Sequence, residues 1–241
     1  MSAAGSNDEE NAALIAPGNY SSYLEFKHEA DATLESEKQA GWLEWAPDLA
    51  SLEQKHGPTF RSRIGVIAKE KQGRRKIRLV HDLRRSGVNS RIKVRERVVL
   101  PRLTGVVDDA RELMAKTGAA AVDYMTADFK DAFKQLKVNE KEQRYLGGEG
   151  LRGFFVYVVV LFGIKSGPLL WCRVAAFLMR LTAAVIHDTP TRLECFVDDP
   201  ILIVAGSAAE RAKKKWMVVM VWRTLGSNLS WTRERRGQQL N

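Results

Sequence analysis

The chain has 241 residues and a formal net charge of +9, long enough to bury a substantial core as one large domain or two intimate subdomains. Two cysteines, Cys172 and Cys195, with no CxxC pair, exclude a disulfide scaffold and a zinc signature and point to a reducing compartment. The small, acidic N-terminus is no signal peptide, Phe154 to Ile164 is too short to span a bilayer, and Pro168 to Ile186 carries Arg173 and Arg180, so no membrane partner is expected.

Charge is unevenly spread. Residues 1–60 hold 3 Lys/Arg against 11 Asp/Glu, residues 61–102 hold 15 against 3, residues 103–209 hold 12 against 13, and residues 210–241 hold 8 against 2. A basic segment beside a neutral, acid-bearing core suits a protein whose ligands are phosphates, although a solvated basic surface has the same composition.

Residues 1–20 read as a flexible lead. Tyr23 to Ala40 has the apolar spacing of an amphipathic helix, stopped by Gly41. Trp42, Leu43 and Trp45 then read as core anchors rather than base-stacking groups. Ile64 to Lys69 and Ile77 to His81 read as a basic hairpin turning at Gln72-Gly73. Asp108 to Lys116 is a short helix ended by Gly118, Ala121 to Thr126 a strand, and Asp131 to Val138 a turn of helix. Tyr145 to Gly147 and Phe154 to Leu161 read as paired strands around Glu149-Gly150. Gly167 to Ile186 is a long buried helix with Pro168 in its first turn, where a missing N–H costs nothing. Leu193 to Phe196 and Ile201 to Val204 form a hairpin, and Ser207 to Leu225 the next helix, closed by Gly226. The order implies an α+β fold, an antiparallel sheet backed by helices.

Two acidic segments stand out in that frame. Phe196-Val197-Asp198-Asp199 puts two carboxylates at a hairpin tip, where they repel unless a cation sits between them; Asp-Asp-Pro is also ordinary turn chemistry. Ala127-Asp128-Phe129-Lys130-Asp131-Ala132-Phe133 ends the Ala121 to Thr126 strand. One acid from that strand and two from the hairpin would suffice for two Mg²⁺ ions about 3.5–4 Å apart.

These motifs, in this order, resemble those of the reverse transcriptases of retroelements. Asp128-Phe129-Lys130-Asp131-Ala132-Phe133 is similar to the family's first catalytic motif. Leu161-Phe162-Gly163-Ile164-Lys165-Ser166-Gly167-Pro168 is similar to the second, and Phe196-Val197-Asp198-Asp199 to the third. Arg78-Leu79-Val80-His81-Asp82-Leu83-Arg84 with Asn89 resembles the fingers signature, and Leu225-Gly226-Ser227-Asn228-Leu229-Ser230-Trp231 the loop after the next helix. The matches run from about Lys69 to Arg233.

The resemblance implies a right-hand polymerase: a helix and basic fingers over 21–120 and a palm over 121–241, with thumb and ribonuclease H absent. It implies two Mg²⁺ ions, Mn²⁺ being a substitute, held by Asp128 and Asp198 with Asp199 beside them. Asp131 and Ala132 would offer backbone N–H groups to the triphosphate. Lys71 (or Lys69) and Arg78 would hold the phosphates, while Asp82 and Arg84 brace the fold. Phe133 would exclude a ribose 2′-hydroxyl, Phe162 would press on the sugar or pack, and Gly163 would admit the template-primer backbone. Lys165 would meet phosphate or solvent. Implied partners are an RNA or DNA template-primer, deoxynucleoside triphosphates and other domains of a polyprotein, in cytoplasm or nucleus. Three departures from the family pattern are visible. Phe196 lacks a hydroxyl, Pro200 removes a donor after the acids, and Arg233 stands where a Lys is usual. A truncated, non-catalytic nucleic-acid-binding protein is the alternative, and an RNA-templated RNA polymerase would conflict with Phe133.

Overall fold

The computed structural model describes residues 18–71, 73–118, 122–187 and 190–231. Its elements begin with α1 (Ser21–Glu25), α2 (Lys27–Gln39), β1 (Leu43–Ala46), α3 (Leu49–His56), β2 (Ile64–Lys71), β3 (Arg74–His81), α4 (Val88–Arg91) and α5 (Leu103–Thr117). They continue with β4 (Asp123–Phe129), a 3₁₀ turn (Ala132–Gln135), α6 (Glu140–Gln143), a second 3₁₀ turn (Arg144–Leu146), β5 (Gly147–Gly150) and β6 (Gly153–Tyr157). α7 (Gly167–Val185), β7 (Thr191–Phe196), β8 (Asp199–Val204), α8 (Ala208–Thr224) and β9 (Leu229–Trp231) complete the chain. The fold is α+β, and every pairing between these strands is antiparallel.

The backbone divides into two compact units, one of Met1–Arg95 with Phe133–Gly167, the other of Glu96–Ala132 with Pro168–Asn241. The segment 121–241 therefore contributes to both. In the first unit, β1, β6 and β5 form one sheet and β2–β3 a hairpin. The sequence pattern of 23–40 becomes two helices, because the chain breaks at Phe26 (φ −110°, ψ 31°). α2 then presents Ala30 and Leu34, one turn apart, to a core holding Leu43, Ile64, Leu83, Leu146, Phe155 and Tyr157. Trp45 packs edge-on to Phe155 at 5.1 Å, so it serves the core. Asn19 and Tyr20, at the end of the expected flexible lead, are tied down: the Ile64 amide donates to Asn19 Oδ1 at 2.9 Å and the Tyr20 amide to the Ile64 carbonyl at 3.0 Å. The remainder of that lead, residues 1–17, lies outside the described residues.

Some polar side chains in this core form a network. Glu37 accepts from both Tyr157 Oη and Lys134 Nζ, and the Lys134 ammonium also sits 4.4 Å from the centre of the Trp42 ring. His81 lies 5.1 Å from the Tyr157 ring, and its Nδ1 is buried with no partner among the described residues. Burial, and after it the charge of Lys134, push the imidazole down to about 3, so it is neutral at physiological pH.

The second unit is a four-stranded sheet in the order β7-β8-β4-β9. α5 buries Val106, Ala110 and Leu113 in a cluster with Val122 and Ile203. α7 is long and apolar enough, by length and composition alone, to cross a membrane, yet beyond Gly167 it buries only the stripe Trp171, Ala175, Leu178 and Thr182 and leaves Arg173 and Arg180 exposed. α8 starts with a capping box between Ser207 and Glu210 and buries Val218, Val219 and Trp222.

Several local expectations are corrected. β4 runs on to Phe129, three residues past Thr126, because β9 pairs with it from Ala127↔Trp231 to Phe129↔Leu229. The helix expected over 131–138 shrinks to one 3₁₀ turn, because the Val138 amide donates to Val158 and Leu136 accepts from Val160, which draws that stretch out straight. α3 was not expected, although Asp48 caps it by accepting from the Ser51 amide at 2.8 Å.

Candidate active site

The β7–β8 hairpin closes with Phe196 opposite Asp199, which leaves Val197 and Asp198 as its two turn residues. Val197 has φ 59°, and Asp131 (φ 54°) is the other non-glycine with positive φ among the described residues. A positive φ at the first turn position suits a II′-type hairpin turn, where glycine is usual. A β-branched residue there is an outlier, costing on the order of 1–3 kcal/mol, and it persists only where its surroundings hold it. Two donors do so: Trp171 Nε1 donates to the Val197 carbonyl at 2.9 Å, and the Cys195 thiol donates to the same oxygen at 3.4 Å.

Pro200 follows the acids without an N–H. The ladder between β4 and β8 ends at Thr126↔Ile201, just short of it, whereas Pro200 still pairs in register with Cys195. Beyond that gap the Phe129 amide donates to the Asp198 carbonyl at 2.9 Å. The residue after Asp128 is thus bonded directly to Asp198, and the end of β4 lies beside the hairpin tip. The proline sits where the ladder stops, so its missing donor does little damage.

The three acids share one electrostatic environment. Asp128 and Asp198 are half-buried and Asp199 is exposed. Even so, the Asp199 carboxyl is raised above the ordinary aspartate range, by partial burial first and then by the charges of Asp198 and Asp128. Burial also leads the rise of the Cys195 thiol to about 12, followed by Cys172, Asp198, Asp199 and Glu194. Among the described residues, no three His, Cys, Asp or Glu side chains are arranged as a ready-made cage for a metal ion. The donor set nevertheless fits Mg²⁺ in kind: hard carboxylate oxygens carrying excess negative charge, for an ion that keeps several of its own waters.

This excess charge has a measurable cost. Because the folded Asp199 carboxyl holds its proton more tightly than the unfolded one, stability falls as pH rises from the ordinary aspartate range through the raised value. Asp199→Asn is therefore expected to melt higher than wild type at pH 7 in EDTA, with the gap closing as the pH is lowered below that range. Thermal melts across a pH series check both signs.

Of the other expected site residues, Asp131 and Ala132 lie in this same unit, Asp131 exposed and Ala132 buried. Asp131 precedes and Ala132 begins a four-residue 3₁₀ turn, not an α-helix, so no α-helix dipole stands behind their amides. Lys71, Arg78, Phe133, Phe162 and Gly163 belong to the first unit. Arg78 is exposed on β3 opposite Ile67, and Lys71 ends β2 opposite Arg74, its side chain being outside the described part. Phe133 and Phe162 pack together with ring centres 5.8 Å apart, leaving Phe162 76% exposed. Gly163 has φ 95°, a conformation that disfavours any side chain. The Asn89 side chain fastens this loop, donating to the Gly163 carbonyl at 2.9 Å and accepting from the Lys165 amide at 2.8 Å. The Lys165 ammonium donates to the Ile92 carbonyl at 3.0 Å, on a residue that is otherwise exposed. Asp82 accepts from Tyr20 Oη and the Arg85 amide, a bracing role. Arg233 lies outside the described residues.

No family model and no curated protein matches the sequence. Among solved structures, the chain is similar to a crystal structure of prototype foamy virus protease–reverse transcriptase, a CSH mutant labelled with selenomethionine. The TM-score is 0.64 at 14% identity over 90% of this chain. At that identity the likeness shows the fold alone: an α+β chain with a reverse-transcriptase-like backbone. It spans 24% of the length of the foamy virus chain.

Proposed function

We propose that this chain is an RNA-directed DNA polymerase module of a retroelement, adding deoxynucleotides to a primer 3′-hydroxyl. The observation that carries the proposal is the hydrogen bond from the Phe129 amide to the Asp198 carbonyl, which brings two acid-bearing elements together as two-metal chemistry needs. When bound, two Mg²⁺ ions, or Mn²⁺ in their place, would lower the pKa of the primer hydroxyl and neutralise charge on the α-phosphate and leaving pyrophosphate. Asp128 and Asp198 would hold them, with Asp199 adjoining. Lys71 and Arg78 would grip the triphosphate as fingers residues, with the Asp131 and Ala132 amides assisting. Gly163 would admit the template-primer backbone, and Phe133 with Phe162 would screen the sugar.

Primer extension on poly(rA)/oligo(dT) with Mg²⁺ tests this, comparing wild type with Asp198→Asn. Extension that the substitution removes supports the polymerase. Equal, salt-sensitive binding of template-primer by both proteins with no extension by either overturns it in favour of a non-catalytic nucleic-acid-binding protein.

Sugar selectivity gives a second check. Phe133→Ala is expected to raise ribonucleotide incorporation relative to deoxynucleotide by about ten- to a hundred-fold, the range a single pocket contact commands. Ratios of kcat/KM for the paired nucleotides measure it, and an unchanged ratio removes Phe133 from sugar recognition.

A further inference from the structure

We propose that Trp171 is a positioning residue for the acidic pair, fixing Asp198 through the strained peptide before it; this rests on the metal-binding part of the proposed function. Trp171 is 1% exposed and lies on the buried stripe of α7. Its ring meets Phe129 edge-on at 5.4 Å, and its indole N–H donates to the Val197 carbonyl at 2.9 Å. One side chain therefore touches both elements that carry the acids: the end of β4 through the neighbour of Asp128, and the hairpin through the neighbour of Asp198.

The strain at Val197 gives that contact its purpose. A valine at φ 59° reverts toward extended backbone unless something holds the peptide, and rotation there would reorient Asp198, the next residue. The Cys195 thiol on the same carbonyl is a weak donor, so the indole is the stronger hold on the Val197 carbonyl, while the Phe129 amide ties the Asp198 carbonyl itself. Phe129 also packs against Trp222, at 5.5 Å between ring centres. The Trp222 indole, however, donates to Thr182 Oγ1 at 2.8 Å, within the helical layer and away from the hairpin. The two tryptophans thus pack alike on Phe129 and differ in what their N–H groups hold.

Trp171→Phe keeps an aromatic ring and deletes the donor, and Trp222→Phe is the matched control. Mn²⁺ binding to the full chain, followed by electron paramagnetic resonance, is expected to weaken about ten-fold in Trp171→Phe, as for groups that orient a metal ligand, and by less than two-fold in Trp222→Phe. Asp198→Asn should abolish it. Equal Mn²⁺ affinities for the two Trp→Phe variants overturn the role of Trp171 while the metal site stands. Failure of wild type to take up Mn²⁺ overturns both. Should Trp171→Phe fail to fold, Mg²⁺ titration of ¹⁵N-indole-labelled wild type decides. The Trp171 N–H resonance should move with saturation in wild type and stay still in Asp198→Asn, and an unmoved resonance in wild type that binds the ion refutes the inference.

Discussion

Asp198→Asn is expected to lower primer extension by about a thousand-fold while leaving the melting temperature in EDTA unchanged or raised. The loss corresponds to roughly 4 kcal/mol of transition-state stabilisation, the several kcal/mol that a metal-held charge supplies. Asp198 and Asp199 are adjacent, and Asp199 already feels the charge of both neighbouring acids, so an amide at 198 relieves repulsion rather than creating it. The backbone bond from Phe129 to Asp198 uses the carbonyl oxygen and survives the substitution. Adding Mg²⁺ at ten times its Kd should stabilise wild type by about 1.4 kcal/mol and leave the variant unmoved. Steady-state extension and melts with and without Mg²⁺ measure both. A variant that loses activity together with several degrees of melting temperature would mean that the fold, not the chemistry, had been damaged.

Lys134→Met is expected to destabilise the first unit by about 3–5 kcal/mol, the usual cost of stranding one member of a buried ion pair. The Lys134 and Glu37 side chains are 20% and 11% exposed, so solvent cannot replace the lost partner. Tyr157 Oη would still donate to Glu37, but a neutral hydroxyl does not neutralise a carboxylate. The cation over Trp42 disappears as well. Making Glu37→Leu together with Lys134→Met should recover most of the loss, because apolar pairs replace buried ion pairs at little cost. Urea unfolding of the two single variants and the double variant checks this as a cycle.

The acidic residues of the proposed site were legible because their placement is written locally. Two adjacent aspartates between apolar strands define a hairpin tip, and Asp128 at a strand end supplies the third carboxylate. The helix boundaries at Gly118 and Ser207 were legible for the same reason, since a left-handed glycine and a capping side chain act within one turn. The extension of β4 to Phe129 was not, because its partner β9 lies a hundred residues away in sequence. Nor was the straightening of 136–138, which answers to β-type pairing with 158–160. The role of Trp171 was not legible, because helical spacing marks it only as a core residue; the aim of its indole proton appears only when α7 meets the hairpin.

By itself, the amino-acid sequence determined the α+β order of elements, the charge asymmetry and the identity of the three carboxylates. Periodicity, turn chemistry and charge act over a few residues and need no partner to be read. Only the tertiary structure decided that Phe129 reaches across to Asp198, that Pro200 falls where a ladder ends, and that an indole steadies the strained Val197. These are long-range pairings, fixed by which apolar faces must share one core rather than by any local preference.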